Sequence, residues 1–383
     1  MKIGIDARFF RRSTGGNGRY TRNLLKYILL ADKNDQFIVF LTPADRQEFD
    51  LKAENLKKRV VDIDHYSLKE QSHLPSVIKR EKLDLIHFTN FNHPIFYRGP
   101  FIVTIHDLTM VLYPAKGRQI SPLHRLPFVT VFKNALRRSS KIITPSKSTA
   151  DDLYKYFGTD PEKIIVIPEG IEPYFRPVDS KAIKSKEIEL QHRLGIERPY
   201  LLFVSQWRPH KGIGELLDAF ELVTKRYKIP VNLVLVGSPN PNFPQITTKV
   251  EKIVAKAKKW RIFTPGFVEE EDLLLLYQLA DAFVLPSFYE GFGLPILEAM
   301  ASGVPVICSK NSSLPEVAGD AVQYCDPYRY PTIAKAIAQV LTNKQLSNKL
   351  KAEGLKRCKQ FTWSKCAQKT LEVYKEIPMS KSK

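Results

Sequence analysis

Short apolar runs recur along the whole chain: Ile3–Ile5, Phe37–Leu41, Val60–Ile63, Leu85–Phe88, Phe101–Ile105, Ile142–Thr144 and Ile164–Ile167, then Tyr200–Val204, Val231–Val236, Ala282–Leu285, Val304–Cys308 and Ala321–Tyr324. They are rich in Ile, Val and Phe and nearly continuous in hydrophobicity, as strands covered on both faces are. Most are separated by loops or by stretches of helical spacing, at Tyr20–Leu30, Glu215–Tyr227, from near Glu270, Ile296–Ser302 and Thr332–Cys358. After a break at Phe361–Ser364 a last helix is expected to end near Ile377. Strand and helix in alternation predict an α/β protein with parallel, doubly wound sheets. The segment Asp179–Arg198 starts charged and poor in apolar residues, and reads as a connection between two domains. At 383 residues the chain has room for both.

Composition adds a direction. A formal charge of +19, from 59 Lys and Arg against 40 Asp and Glu, favours anionic partners: phosphates, nucleic acid or acidic lipid. No nucleic-acid-binding motif accompanies the charge, so nucleic acid is not expected as a partner. Cys308, Cys325, Cys358 and Cys366 show neither zinc nor CxxC spacing and suit a reducing compartment. MKIGIDARFF enters a strand at once, without the apolar core of a signal peptide, and no apolar run is long enough to span a bilayer. A soluble, cytoplasmic protein is the expectation. One stretch modifies it. From Leu108 to Ala150 there is no acid, while Lys116, Arg118, Arg125, Lys133, Arg137, Arg138, Lys141 and Lys147 all occur. Phe128, Val129, Phe132 and Leu136 recur there at helical spacing. Such a helix can lie on an anionic membrane, peripheral at its inner face, or turn its apolar stripe into its own domain. The spacing favours neither.

The densest chemistry lies in LPSFYEGFGLPILEAMASGVPVI, Leu285 to Ile307. A strand ends at Pro286, two glycines free the loop Glu290-Gly291-Phe292-Gly293, and Pro295 can stand in the first turn of a helix that Gly303 closes. Helix N-terminal N–H groups attract anions, and Glu290 and Glu298 can accept hydrogen bonds from hydroxyls. A sugar joined to a phosphate suits that combination; so does an ordinary turn with two solvated glutamates. Three more places fit a ligand at strand ends. Ser13–Gly18, with Gly16, follows the first strand; His106 and Asp107 follow Phe101–Ile105; Arg208 and Lys211 stand between Tyr200–Val204 and the next helix.

Glu290, Gly291-Phe292-Gly293-Leu294-Pro295, Glu298-Ala299-Met300-Ala301 and Gly303 resemble the signature of the retaining family-4 glycosyltransferases of the GT-B fold, and the similarity runs over nearly the whole chain. The resemblance implies two doubly wound Rossmann-like domains facing across a cleft. Residues 1–178 would form the acceptor side, 179–360 the nucleotide-sugar-binding side, and 361–383 a helix and tail crossing back to the first domain. It implies catalytic roles for His106 and Glu290, and donor contacts from Gly16, Arg208, Lys211, Val268, Gly291, Phe292, Gly293, Leu294 and Glu298. Two positions depart from the pattern: Gln206 stands where the family places an arginine, and Glu169 where many members carry Asn. Arg208 would then supply the missing charge. With no DxD or acidic cluster at a matching place, neither metal nor cofactor is implied; the nucleotide sugar is the substrate. Ile3–Arg8, Gly15–Leu25 and Trp207–Gly212 resemble mannosyltransferase-like members, which puts GDP-mannose first and UDP-glucose or UDP-N-acetylglucosamine next. The acceptor would be a glycan or a lipid-linked one, as in polysaccharide biosynthesis. The alternatives are a glycoside hydrolase, a sugar-nucleotide epimerase, a phosphorylase and a non-enzymatic polyanion binder. Hydrolysis needs carboxyls roughly 5–9.5 Å apart, whereas eight helical steps would part Glu290 and Glu298 by about 12 Å.

Overall fold

The computed structural model describes residues 1–113, 122–256 and 260–378; Lys116, Arg118, the Arg125 side chain and the end of the tail lie outside the described residues. These residues form two compact units, the first from 1–108, 122–170 and 362–378, the second from 109–113, 171–256 and 260–361.

The first unit holds a seven-stranded parallel sheet: β1 (Lys2–Asp6), β2 (Gln36–Leu41), β3 (Leu56–Val60), β4 (Leu85–Phe88), β5 (Phe101–Thr104), β6 (Ile142–Thr144) and β7 (Ile164–Val166). Their order is β3-β2-β1-β4-β5-β6-β7. The strands β4, β5 and β6 are buried throughout, which is why their sequences show no alternation. The chain winds outward from β1, then returns to lay β4 on its other side. The carboxyl ends of β1 and β4 therefore form the crevice at which open α/β sheets bind ligands. The helix Trp363–Glu376 belongs to this unit and packs along the helix Gly16–Ala31, burying Trp363, Cys366, Ala367, Thr370 and Tyr374. Its Tyr374 hydroxyl meets His87 Nδ1 at 2.7 Å, and His87 Nε2 meets Thr104 Oγ1 at 2.8 Å. The end of the chain thus returns to the first sheet, as the resemblance implies.

The second unit holds a six-stranded parallel sheet: β8 (Tyr200–Val204), β9 (Asn232–Val236), β10 (Ile262–Gly266), β11 (Ala282–Leu285), β12 (Val306–Ser309) and β13 (Val322–Cys325). The order β10-β9-β8-β11-β12-β13 reverses between β8 and β11.

Several expectations are corrected. The third strand is Leu56–Val60 instead of Val60–Ile63; it is an edge strand whose Lys57-Lys58-Arg59 hides the pattern. The helix expected from Tyr20 begins at Gly16, so the glycine segment is half loop and half first turn. Asp179–Arg198 is no bare connection: it contains the helix Ile183–Leu194, which Arg193 ties to Asp272 at 2.7 Å within the second unit. Thr332–Cys358 is two helices, Tyr330–Thr342 and Lys344–Cys358, the second capped by Asn343. In the helix Pro122–Arg138 the apolar stripe turns inward. Phe128 and Phe132 lie 4.9 and 5.4 Å from Phe91, and Phe132 lies 4.9 Å from Phe157.

Candidate functional site

In the second unit the strand reversal sets two loops side by side. Ser205–Gly212 leaves β8 for the helix Ile213–Glu221, and Pro286–Gly293 leaves β11 for the helix Leu294–Ala301. They touch through backbone. The Phe288 N–H donates to the His210 carbonyl at 2.8 Å. Gly212 has a left-handed φ of 70°, and a Cβ on it would stand 2.0 Å from the Pro286 carbonyl oxygen. Only glycine fits there.

This contact brings Lys211 to Glu290, residues that no local motif joins. Lys211 Nζ donates to Glu290 Oε2 at 2.7 Å, and the Ser287 hydroxyl donates to Oε1 at 2.7 Å. The backbone of Glu290 is fixed as well: its N–H donates to Ser312 Oγ at 2.8 Å and its carbonyl accepts from Ser313 Oγ at 2.9 Å. Ser313 also donates to the Phe292 carbonyl, and Ser309 to that of Ser287. Reading the sequence missed this serine bracket. Its only trace is the cluster Ser309, Ser312 and Ser313 at and just past the end of a strand.

The loop's charge is concentrated. Arg208 Nε is buried without a hydrogen-bond partner, while Gln206, at the usual arginine position, is exposed. A buried guanidinium nitrogen without a partner is costly, and a guanidinium's planar fork of donors matches carboxylate and phosphate oxygens. Beside it, burial and then the charges of Lys211 and Arg208 push the His210 imidazole down to about 3, so it stays neutral. Gly293 caps the next helix with φ 106°, and Leu294 and Glu298 are buried in that helix, Glu298 to 1% exposure. Val268 stands farther off, half-buried beyond β10 at the sheet edge. The ends of β8, β9 and β10 are nonetheless joined. The Ser205 N–H donates to the Val236 carbonyl at 3.1 Å and the Gly237 N–H to that of Gly266 at 2.9 Å. Tyr113 adds an aromatic ring 5.5 Å from Tyr289 and 5.9 Å from His210.

In the first unit His106 follows β5. Its Nε2 lies 3.0 Å from the Thr89 carbonyl, at the end of β4, and its Nδ1 3.2 Å from Glu169 Oε1, just past β7. The ring stands edge-on to Tyr20 at 4.6 Å. Burial opposes its charge, but the Glu169 carboxylate, the Thr89 carbonyl and Asp107 outweigh it and hold the pKa above the ordinary histidine value. Gly16 is exposed in the first helical turn with open space beside it; the crowded glycine is Gly18, where a Cβ would lie 2.3 Å from the Arg11 carbonyl oxygen. Among the described residues no group of His, Cys, Asp and Glu is arranged to hold a metal ion.

Two doubly wound sheets, the second bearing cations, buried carboxylates and a glycine-capped helix where its order reverses, define a GT-B glycosyltransferase. The chain belongs to that class by family as well: residues 14–174 match Glycosyltransferase Family 4 and residues 185–357 match Glycosyl transferases group 1. It is 29% identical over 390 residues to O-antigen chain mannosyltransferase B of Escherichia coli, covering 98% of this chain and 100% of that protein. It is 27% identical over 279 residues to the serotype-specific mannosyltransferase WbdA of the same organism, where the match covers 73% of this chain and 34% of the larger protein. Among solved structures, HepE of Anabaena in complex with UDP and glucose superposes with a TM-score of 0.76 at 19% identity, covering 98% of this chain and all of that one.

Proposed function

We propose that this glycosyltransferase moves mannose from GDP-mannose, with retention of anomeric configuration, to a growing or lipid-linked glycan. The observation that carries the reading is the similarity to O-antigen chain mannosyltransferase B, which runs end to end in both proteins. The hard step is departure of a nucleoside diphosphate from the anomeric carbon. Arg208, Lys211 and the N-terminus of the helix after Gly293 face that charge with preorganised donors, so the reading needs no metal and no cofactor besides the donor. Glu298 takes the ribose hydroxyls, and the backbone from Gly291 to Leu294 the phosphate. Val268 lies at the base, and Glu290 orients the sugar and opposes its developing positive charge. His106 contacts the sugar, and Gly16 leaves room for the donor.

The acceptor side works at the inner membrane face. No helix among the described residues is long and apolar enough to cross a membrane. The cations Lys133 and Arg137 and the side chain of Leu126 remain exposed although Phe132 and Leu136 of the stripe are buried. Incubation with GDP-mannose, UDP-glucose and UDP-N-acetylglucosamine in turn, with NMR of the released sugar or product, tests the donor. Turnover of GDP-mannose above the others, with α-configured product, is expected. Preference for a uridine nucleotide would overturn the donor assignment.

A further inference from the structure

The proposed function leaves Glu169 without a task, yet Glu169 decides the state of His106. The Thr89 carbonyl can only accept, so His106 Nε2 must carry a hydrogen to bond it at 3.0 Å. A neutral imidazole has one N–H. With that hydrogen committed, Nδ1 would present a lone pair to the Glu169 carboxylate 3.2 Å away, an acceptor against an acceptor. Both contacts are satisfied together when the ring is an imidazolium.

The surroundings agree. Asp107, next in the chain, adds negative charge. His87 on β4, fully buried and near the His106 charge, is pushed down to about 3 and stays neutral. Tyr20 on the helix Gly16–Ala31 and Cys366 and Tyr374 on the C-terminal helix are pushed up by burial and stay neutral too. Glu169 is itself fixed. It is 5% exposed, and the following Gly170 packs so closely on the start of the C-terminal helix that a Cβ would stand 2.0 Å from the Trp363 nitrogen. Trp363 in turn lies 6.1 Å from Tyr20, the ring against which His106 rests.

We propose that Glu169 is a positioning residue that holds His106 as an imidazolium of fixed orientation, so that His106 acts by charge and does not shuttle a proton. The proposal rests on the role given to His106 under the proposed function. Both ring N–H bonds are donated to Thr89 and Glu169, which leaves no lone pair to take a proton from an acceptor hydroxyl. The site of acceptor deprotonation lies elsewhere.

The test follows the ring and the reaction separately. Ring 15N signals of His106, identified by their loss in His106→Gln, are titrated in the full-length protein, in Glu169→Gln and in Glu169→Asp. GDP-mannose hydrolysis is measured over the same pH range, and thermal melts confirm folding. The protonated ring is the active form, so activity falls as pH rises through its pKa. In Glu169→Gln the amide replaces the charge, the ring titrates about one unit lower or more, and the alkaline limb moves down with it. Glu169→Asp restores part of both. A ring that titrates unchanged in Glu169→Gln overturns the pairing, and a ring that moves while the activity profile stays overturns the role. If the wild type hydrolyses no GDP-mannose, the donor reading fails, while the ring titration still decides the pairing.

Discussion

In the proposed function the donor half of the site turns on Lys211, and Lys211→Ala separates its two contributions. Its Nζ sits 2.7 Å from Glu290 Oε2, with the two side chains 19% and 10% exposed. Breaking a fully buried pair by removing one partner costs about 3–5 kcal/mol. Here water reaches both groups and Ser287 still donates to Glu290 at 2.7 Å, so the loss of unfolding free energy should be about 1–2 kcal/mol. Turnover should suffer more. A donor aimed at the charge that develops in the transition state is worth about 10²–10³ in rate, or about 3–4 kcal/mol. Urea denaturation reads the first quantity. Single-turnover transfer at saturating GDP-mannose, under conditions where the variant is folded, reads the second. Glu290→Gln serves as the comparison, since it keeps the shape of the bracket and releases Lys211 from its partner. A Lys211→Ala protein that turns over within about tenfold of wild type, a loss of under about 1.4 kcal/mol, would refute the assignment of this lysine to the leaving group and reduce the ion pair to a strut between two loops.

Other perturbations reach other parts of the molecule. Arg208→Ala should also lower turnover strongly, and Gln206→Arg added to it should recover part of the loss; normal turnover in Arg208→Ala would place the diphosphate elsewhere. Glu298→Ala should weaken nucleotide-sugar binding by about 1.5–3 kcal/mol, and calorimetry on the folded variant giving unchanged affinity would dismiss it as a donor ligand. Arg8, fully buried, pairs with Asp6 at 2.7 Å and with Glu70 at 2.6 Å, so Arg8→Ala should cost about 3–5 kcal/mol by urea titration. Burial alone would raise the Asp6 pKa, but Arg8 outweighs it and holds the value low. That stabilisation is therefore present above the usual carboxylate range and lost as pH falls through the lowered value; a variant as stable as wild type at neutral pH would contradict it. Binding to anionic vesicles should weaken as salt rises and in Arg137→Glu with Arg138→Glu, while GDP-mannose hydrolysis persists. Indifference to such vesicles at low salt would make the basic helix a solvated face.

The strands were readable because β4, β5, β8 and β11 are covered on both faces, and the burial that makes them apolar is the signal itself. At the edge strand β3, where Lys57-Lys58-Arg59 replace the apolar run, the pattern failed. The loop Glu290–Gly293 and its helix were readable for a different reason: the residues that need one another there lie within a few turns of chain. The same cannot hold for Lys211 and Glu290, 79 residues apart, or for His106 and Glu169, 63 apart. The first pair depends on β11 lying beside β8, the second on β5 and β7 flanking β6 in one sheet. The face of the helix Pro122–Arg138 is a third such case, because its stripe found a partner in Phe91, on the loop after β4, and not in anything on the helix. Strand order departs from chain order at β1/β4 and at β8/β11, and that departure is what opens a crevice for a ligand. A doubly wound sheet therefore puts its chemistry where sequence neighbours stop being spatial neighbours. Motifs can mark the rim of such a site from one strand, but the pairings across it appear only once both strands have been placed.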